Sequence, residues 1–164
     1  MRGIIINVIS FGFQASGRPP NADKVLNARI VENPGSSRQR RKHNGLNKDL
    51  AKDVLKQPKA RALINEGVKS VYDVISEWQV QDQMPQKSSI TNNAKTTEHE
   101  LVEQSHENTF TLAVGCHAGM HRSVAIADAI HKEIASYIKD SNLKGQVHIS
   151  ILHSDIDKKK CERL

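Results

Sequence analysis

The residues best placed to do chemistry lie in one short stretch, Val114-Gly-Cys-His-Ala-Gly-Met-His-Arg-Ser-Val124. An apolar strand runs into a glycine-containing loop, and a helix follows. That order presents backbone N–H groups to an anion at the helix start. Gly115 and Gly119 permit tight turns and close backbone approach. Arg122 can grip two phosphate oxygens at once, His121 adds a donor, and Ser123 adds a hydroxyl. Gly115, Cys116, His117, Ala118, Gly119, His121, Arg122 and Ser123 therefore form a candidate phosphate-binding loop. The same residues fit Cys-x-x-Gly-x-x-Arg-Ser, the loop of cysteine-dependent phosphatases, in which Cys116 would attack phosphorus while Arg122 holds its oxygens. Gly115 stands where protein tyrosine phosphatases carry His, and Asp82, the acid one might enlist, falls in a polar stretch without apolar period. Binding without catalysis is thus the leading reading, and Cys-dependent hydrolysis the alternative.

Two other chemistries find no support. Cys116, His117 and His121 match no structural zinc spacing, so no metal site is expected. Gly67-Val-Lys-Ser70 lacks the Gly-Lys-Ser/Thr order of a phosphate-binding ATPase loop, and no cofactor is expected.

The elements that must position the loop follow from hydrophobic patterning. Ile4 to Ile9 is a β-branched run that reads as a buried strand. Lys24 to Val31 reads as a second strand, stopped by Asn33-Pro34-Gly35. Arg38, Arg40, Arg41 and Lys42 fall in a loop, and Asn47 caps a short helix ending before Pro58. Ile64, Val68, Val71, Ile75 and Trp78 share one face of a helix over Lys59 to Trp78. Residues 79–108 are rich in Gln, Ser, Thr, Asn and Glu and read as a flexible insertion. Phe110 to Gly115 is a third strand, Arg122 to Asp140 a helix, and Val147 to Ile151 a fourth strand. The tail from Asp155 to Leu164 is polar and basic. This alternation predicts a single α/β domain over 1–164, with about four strands in a mostly parallel or mixed sheet flanked by helices.

Composition bounds the function. The chain has 164 residues, long enough for one domain with a core. Hydrophobic residues make up only 37%, so part of the chain should stay outside that core. Lys and Arg number 24 against 18 Asp and Glu, a formal charge of +6 that favours anionic partners. Two cysteines exclude a disulfide framework, and the Ile4–Ile9 run is too short to span a membrane. A cytoplasmic protein with no membrane association is expected. Aromatic residues at 4% argue against a base-stacking platform, and Tyr72 and Trp78 read as core. Arg38 to Lys42 reads as a solvated loop, with RNA binding or a nuclear address as alternatives.

Several segments taken in order resemble the C-terminal domain of the RNase adapter RapZ (the YvcJ-like family). They are Ser10-Phe-Gly-Phe13 with Pro20, Ala22 and Asp23; Val25 and Arg29 with Asn33-Pro34; and Gly45-Leu46 with Lys48. The most specific is Gly115-Cys116, Gly119 and His121-Arg-Ser-Val124, beside the family's Gly-Cys-Thr-Gly-Gly-x-His-Arg-Ser-Val. His153 with Lys158, Lys159 and Lys160 resembles the family's basic end. The resemblance implies a non-catalytic regulatory domain that binds small RNA, helps present it to a ribonuclease and senses the phosphosugar glucosamine-6-phosphate. It also implies phosphate contacts to RNA from Lys158, Lys159 and Lys160, although that run equally suits a frayed tail. Arg29 becomes a further candidate ligand contact. The nucleotide-binding domain that precedes this one in the family is not seen, so ATP-linked activity is not expected, and the family's oligomeric assembly is not assumed. Three positions depart from the family: Gly35 for a His, His117-Ala118 for Thr-Gly, and Asn27 for an Asp.

Overall fold

Strand β1 (Ile4–Gly12) alternates buried and half-buried residues along its first half, and then turns fully buried from Ser10 onward. This is the signature of a central strand whose C-terminal end is covered on both faces. A computed structural model describes residues 3–83 and 108–157 and places β1 second from one edge of a four-stranded sheet. The other strands are β2 (Lys24–Asn27), β3 (Asn108–Cys116) and β4 (Val147–His153). Their order is β2-β3-β1-β4, and every pairing is parallel. The expected α/β architecture is present, with no antiparallel strand among the described residues.

Register assigns the two faces. Ile4, Ile6 and Val8 of β1 align with Asn108, Phe110 and Leu112 of β3 and with Val147, Ile149 and Ile151 of β4. Together with Leu26 they form the face that meets the helices. Helix α2 (Lys48–Leu55) contributes Val54 to that core, and α3 (Pro58–Gln83) contributes Leu63, Val68, Val71, Ile75 and Trp78. From α4 (Arg122–Asp140) come Ile126, Ile130, Ile134 and Ile138. Gly67 lets α3 approach closely, since a Cβ there would lie 2.7 Å from the Ile130 side chain. Tyr72 and Tyr137 stack at 4.4 Å between α3 and α4, and Trp78 is buried, as the sequence predicts. The opposite face carries a smaller cluster of Phe11, Ala113 and Ala22, edged by Phe13 and Val25.

Several features differ from the sequence reading; β1 and β4 extend past Ile9 and Ile151 to Gly12 and His153. β2 ends at Asn27, not Val31, because the Asn27 side chain accepts from the Arg29 amide and starts a 3-10 turn over Ala28–Ile30. The basic stretch expected as a loop contains helix α1 (Ser37–Lys42), closed by a Ser36–Gln39 capping box. It buries no residue, so no apolar period announces it. Helix α3 continues past Trp78 to Gln83, and β3 begins at Asn108, so residues 79–83 and 108 do not belong to an insertion. Residues 84–107 lie outside the described residues. Asp155, assigned to the polar tail, is fully buried instead.

A candidate anion-binding cleft at the carboxyl ends of β1 and β3

In open parallel sheets ligands bind beyond the carboxyl ends of the strands. Here Gly12 and Cys116 are register partners, so the loops leaving β1 and β3 depart side by side. They are held together by backbone bonds from Phe13 N to Cys116 O (2.9 Å) and Gln14 N to His117 O (3.0 Å). Gly119 has φ +72°, and a Cβ there would meet the Gly12 amide at 2.5 Å. A Cβ on Gly12 would in turn lie 2.5 Å from the Ala118 carbonyl carbon. Neither position tolerates a side chain, so the loop can fold back across β1 only as this glycine pair.

Asp155 clamps the same corner from the turn beyond β4. Its Oδ2 accepts from the Gly12 amide at 2.8 Å and from the Ser16 hydroxyl at 2.6 Å. Next to it Ser10 Oγ lies 2.7 Å from His153 Nδ1. Burial holds the His153 imidazole below its ordinary pKa; Asp128 opposes that shift and His131 adds to it.

The loop opens onto a cleft of about 280 Å³. Cys116, His117, Ala118, Met120, His121 and Arg122 form one wall. Asn33, Ser37, Arg40 and Arg41 form the other, brought in by α1 and the turn before it. Among the described residues no carboxylate lines this space. The mouth of α4 opens here with His121 at its N-cap and no side chain capping it. The positive end of the helix dipole at this terminus favours an anion in the cleft.

Each loop residue then has a position. Arg122 is only 7% exposed, and its Nη1 donates to the carbonyls of Val31 (2.9 Å) and Arg29 (3.3 Å). Its guanidinium is thus fixed, and Arg122 is among the residues that line the cleft. His121 Nε2 donates to the carbonyls of Arg40 and His43, both at 2.9 Å, and pins α1 over the cleft. Gly45 N donates to Met120 O at 2.8 Å and ties the chain beyond α1 to the loop. Cys116 is 3% exposed, with its Sγ 3.1 Å from the fully buried Ser123 Oγ.

Not every sequence candidate reaches the cleft. Gly115 stays within β3, where a Cβ would strike Phe11 and Phe13 at 2.5 and 2.6 Å. Its role here is to admit that aromatic pair. Gly119 and Ser123 support the loop from behind and do not line the cleft. Arg29 lies 4.2 Å over the Phe13 ring and its Nε donates to Asn27, so its side chain is not among the lining groups. Lys158, Lys159 and Lys160 lie outside the described residues. Sequence reasoning missed Asn33, Ser37 and Met120 altogether, and it read Arg40 and Arg41 as solvated. Their only signal was charge density roughly eighty residues upstream of the loop, a distance that spacing rules do not bridge.

The family model for the RapZ C-terminal domain matches residues 4–94 and 68–157. This chain belongs to the RapZ C-terminal domain family. A nucleotide-binding protein of Lactiplantibacillus plantarum is 30% identical over 155 residues, which cover 94% of this chain and 41% of that protein. One from Arthrobacter sp. is 30% identical over 132 residues, covering 80% of this chain and 35% of the relative. One from Shewanella halifaxensis is 28% identical over 153 residues, covering 93% and 44%. The chain therefore matches well under half the length of these relatives. Among the described residues, no helix of the RapZ-like domain is long and apolar enough to cross a membrane.

Proposed function

We propose that this domain is a regulatory binding module that holds a phosphorylated small molecule, of the phosphosugar type, in the cleft between the 116–122 loop and α1. The observation that carries the reading is Arg122: a buried guanidinium, anchored on one edge by backbone carbonyls, lines a cleft at an uncapped helix N-terminus. A fixed cation beside a helix N-terminus binds an anion with little ordering cost. The relatives' name, nucleotide-binding protein, agrees with a phosphate-bearing ligand. A screen of phosphorylated sugars and nucleotides by thermal shift tests it. A ligand at a hundredfold over its Kd should stabilise the fold by about 2.7 kcal/mol. That gain should shrink sharply in Arg122→Lys, which keeps the charge but loses the planar fork. Equal shifts in both proteins would remove the reading.

RNA binding, with a ribonuclease as a further partner and a cytoplasmic setting, extends this reading. Its support is the formal charge of +6 and the basic α1, whose last turn carries Arg40, Arg41 and Lys42. Affinity for structured RNA should then fall steeply with salt, by a slope of about 0.7–0.9 per phosphate contact. Replacing Lys158, Lys159 and Lys160 by Ala should flatten that slope if the tail contributes. Binding that is indifferent to salt would refute it.

Catalysis by Cys116 is the second reading, favoured by one geometry: Cys116 is among the lining residues and its Sγ lies 3.1 Å from the Ser123 hydroxyl. Hydrolysis would need an acid for the leaving oxygen, and among the described residues no carboxylate lines the cleft to supply it. Asp82 sits near the C-terminal end of α3, which packs at the opposite end of the sheet. Aryl-phosphate hydrolysis that disappears in Cys116→Ser would establish the enzyme.

A further inference from the structure

Residues 35–43 form a short strap between two buried ends, Pro34 and Gly45. Gly45 sits against the loop backbone, where a Cβ would strike the His121 carbonyl. The strap itself is mostly α1, and none of that helix's six residues is buried. A helix so short is not stable in water by itself, so its place depends on what holds it. Its side-chain hydrogen bonds turn inward: Ser36 and Gln39 close the capping box, and Arg40 donates to the carbonyls of Pro34 and Gly35 and to Ser37 Oγ. Among the described residues, the only hydrogen bonds that residues 36–43 make beyond 34–43 run to His121. Its Nε2 lies 2.9 Å from both the Arg40 and the His43 carbonyl, so one N–H serves the end of α1. The same imidazole makes no capping bond to α4, so removing it takes no cap from that helix.

We propose that α1 is a strap that opens as a unit, and that His121 is the latch that holds it shut over the cleft. Charge supplies both a reason to open and a reason to close. Helix α1 carries Arg38, Arg40, Arg41 and Lys42 and no acidic residue. Arg40 and Arg41 line the cleft from the wall opposite Arg122. Without an anion these like charges repel one another. An anion offsets that repulsion more fully when the walls are together, so binding shifts the strap toward closure. This coupling rests on the phosphate reading above, whereas the latch stands on the hydrogen bonds alone. His121 is a positioning residue, which acts on the cleft through α1.

The experiment is residue-resolved amide hydrogen exchange of the full chain, with and without inorganic phosphate. The reporters are the Arg40 and His43 amides, which donate to the Ser36 and Gln39 carbonyls within the strap. In the wild type both should exchange through one local opening, faster than the middle of α4 and with little dependence on denaturant. Exchange of these amides only together with the core would overturn the strap, and that measurement needs no variant. His121→Ala should speed both by about tenfold and leave the core amides of β1 and α4 unchanged. His121→Gln, whose side-chain amide can donate to the same carbonyls, should hold the rate within about threefold of the wild type. Unchanged strap rates in His121→Ala, or rates raised equally throughout the core, would overturn the latch. Phosphate that shifts the 117–124 amides should slow Arg40 and His43 by about tenfold at saturation. Phosphate that binds there without slowing them would overturn the coupling. If phosphate shifts nothing, the phosphate reading falls and the coupling with it, while the phosphate-free rates still decide the latch.

Discussion

The sheet has a cleft at each end, similar in size and opposite in character. At the amino ends of β1 and β3 a space of about 310 Å³ is lined by Ile4, Val74, Trp78 and Phe110 with the uncharged polar Gln81, Asn108 and Thr109, and among the described residues Glu77 is its only charged group. At the carboxyl ends the space of about 280 Å³ has three arginines, two histidines and a helix N-terminus. Volume does not distinguish them. What differs is which backbone groups face the space and whether the side chains around it are held. Parallel strands followed by helices point helix N-termini at the carboxyl end, so anion chemistry accumulates there. The amino end differs: among the described residues it gathers apolar and uncharged polar side chains beneath α3, and a single carboxylate.

That contrast is sharpened first by substitutions that should separate stability from binding. Trp78→Ala removes a buried side chain at the amino end and should destabilise by about 3–5 kcal/mol. Phosphosugar affinity, measured under conditions where the variant is folded, should be unchanged. Chemical denaturation with parallel titration checks both, and a loss of affinity would couple the two ends. Gly119→Val, at φ +72° and against the Gly12 amide, should cost about 2–3 kcal/mol and abolish binding, since the loop can no longer lie back on β1.

Arg122→Lys should cost about 1–2 kcal/mol of stability, because the bonds to Val31 and Arg29 are weakened or lost. Its larger consequence is loss of ligand-induced stabilisation. Glu77→Gln should change stability by less than about 0.5 kcal/mol and leave binding alone. Any gain or loss of phosphosugar affinity there would contradict the assignment of chemistry to one end.

The smallest effect is a pH dependence at the carboxyl end. His153 titrates below its ordinary value in the folded protein because burial disfavours its charged form. The unfolded chain therefore takes up this proton first as pH falls. The contribution to stability is complete above the unfolded pKa, near 6.5, and declines as pH drops through the lower folded value. His153→Gln should flatten the pH dependence of Tm as pH falls below about 6.5. An unchanged profile would mean that other groups set it.

Much of the fold was legible because apolar period carries it. Helix α4 begins and ends where Ala127, Ile130, Ile134 and Ile138 predict, and Asn47 caps α2 as read. Both are cases in which a tertiary core and a local signal agree. α1 was illegible for the complementary reason: it is wholly polar, held by a capping box and by His121, and it buries nothing. Since α1 supplies one wall of the cleft, half of the candidate site was missed along with it. Asp155 was misplaced because a carboxylate in a polar tail gives no sign that backbone amides and a serine will surround it. Gly115 was read as a phosphate-loop glycine, yet the space it leaves is filled by Phe11 and Phe13 from β1 and the loop beyond. In each case the deciding partner lies far away in sequence.

The most direct test of the anion-binding end is a residue-resolved amide titration of the full chain with inorganic phosphate, followed by NMR. Saturable shifts should cluster at residues 117–124 and at Arg40 and Arg41, with the Ile4, Asn108 and Phe110 amides still. In Arg122→Lys the same shifts should require a much higher phosphate concentration. Saturable shifts centred on the amino end of the sheet, or loop shifts that titrate identically in Arg122→Lys, would contradict the account.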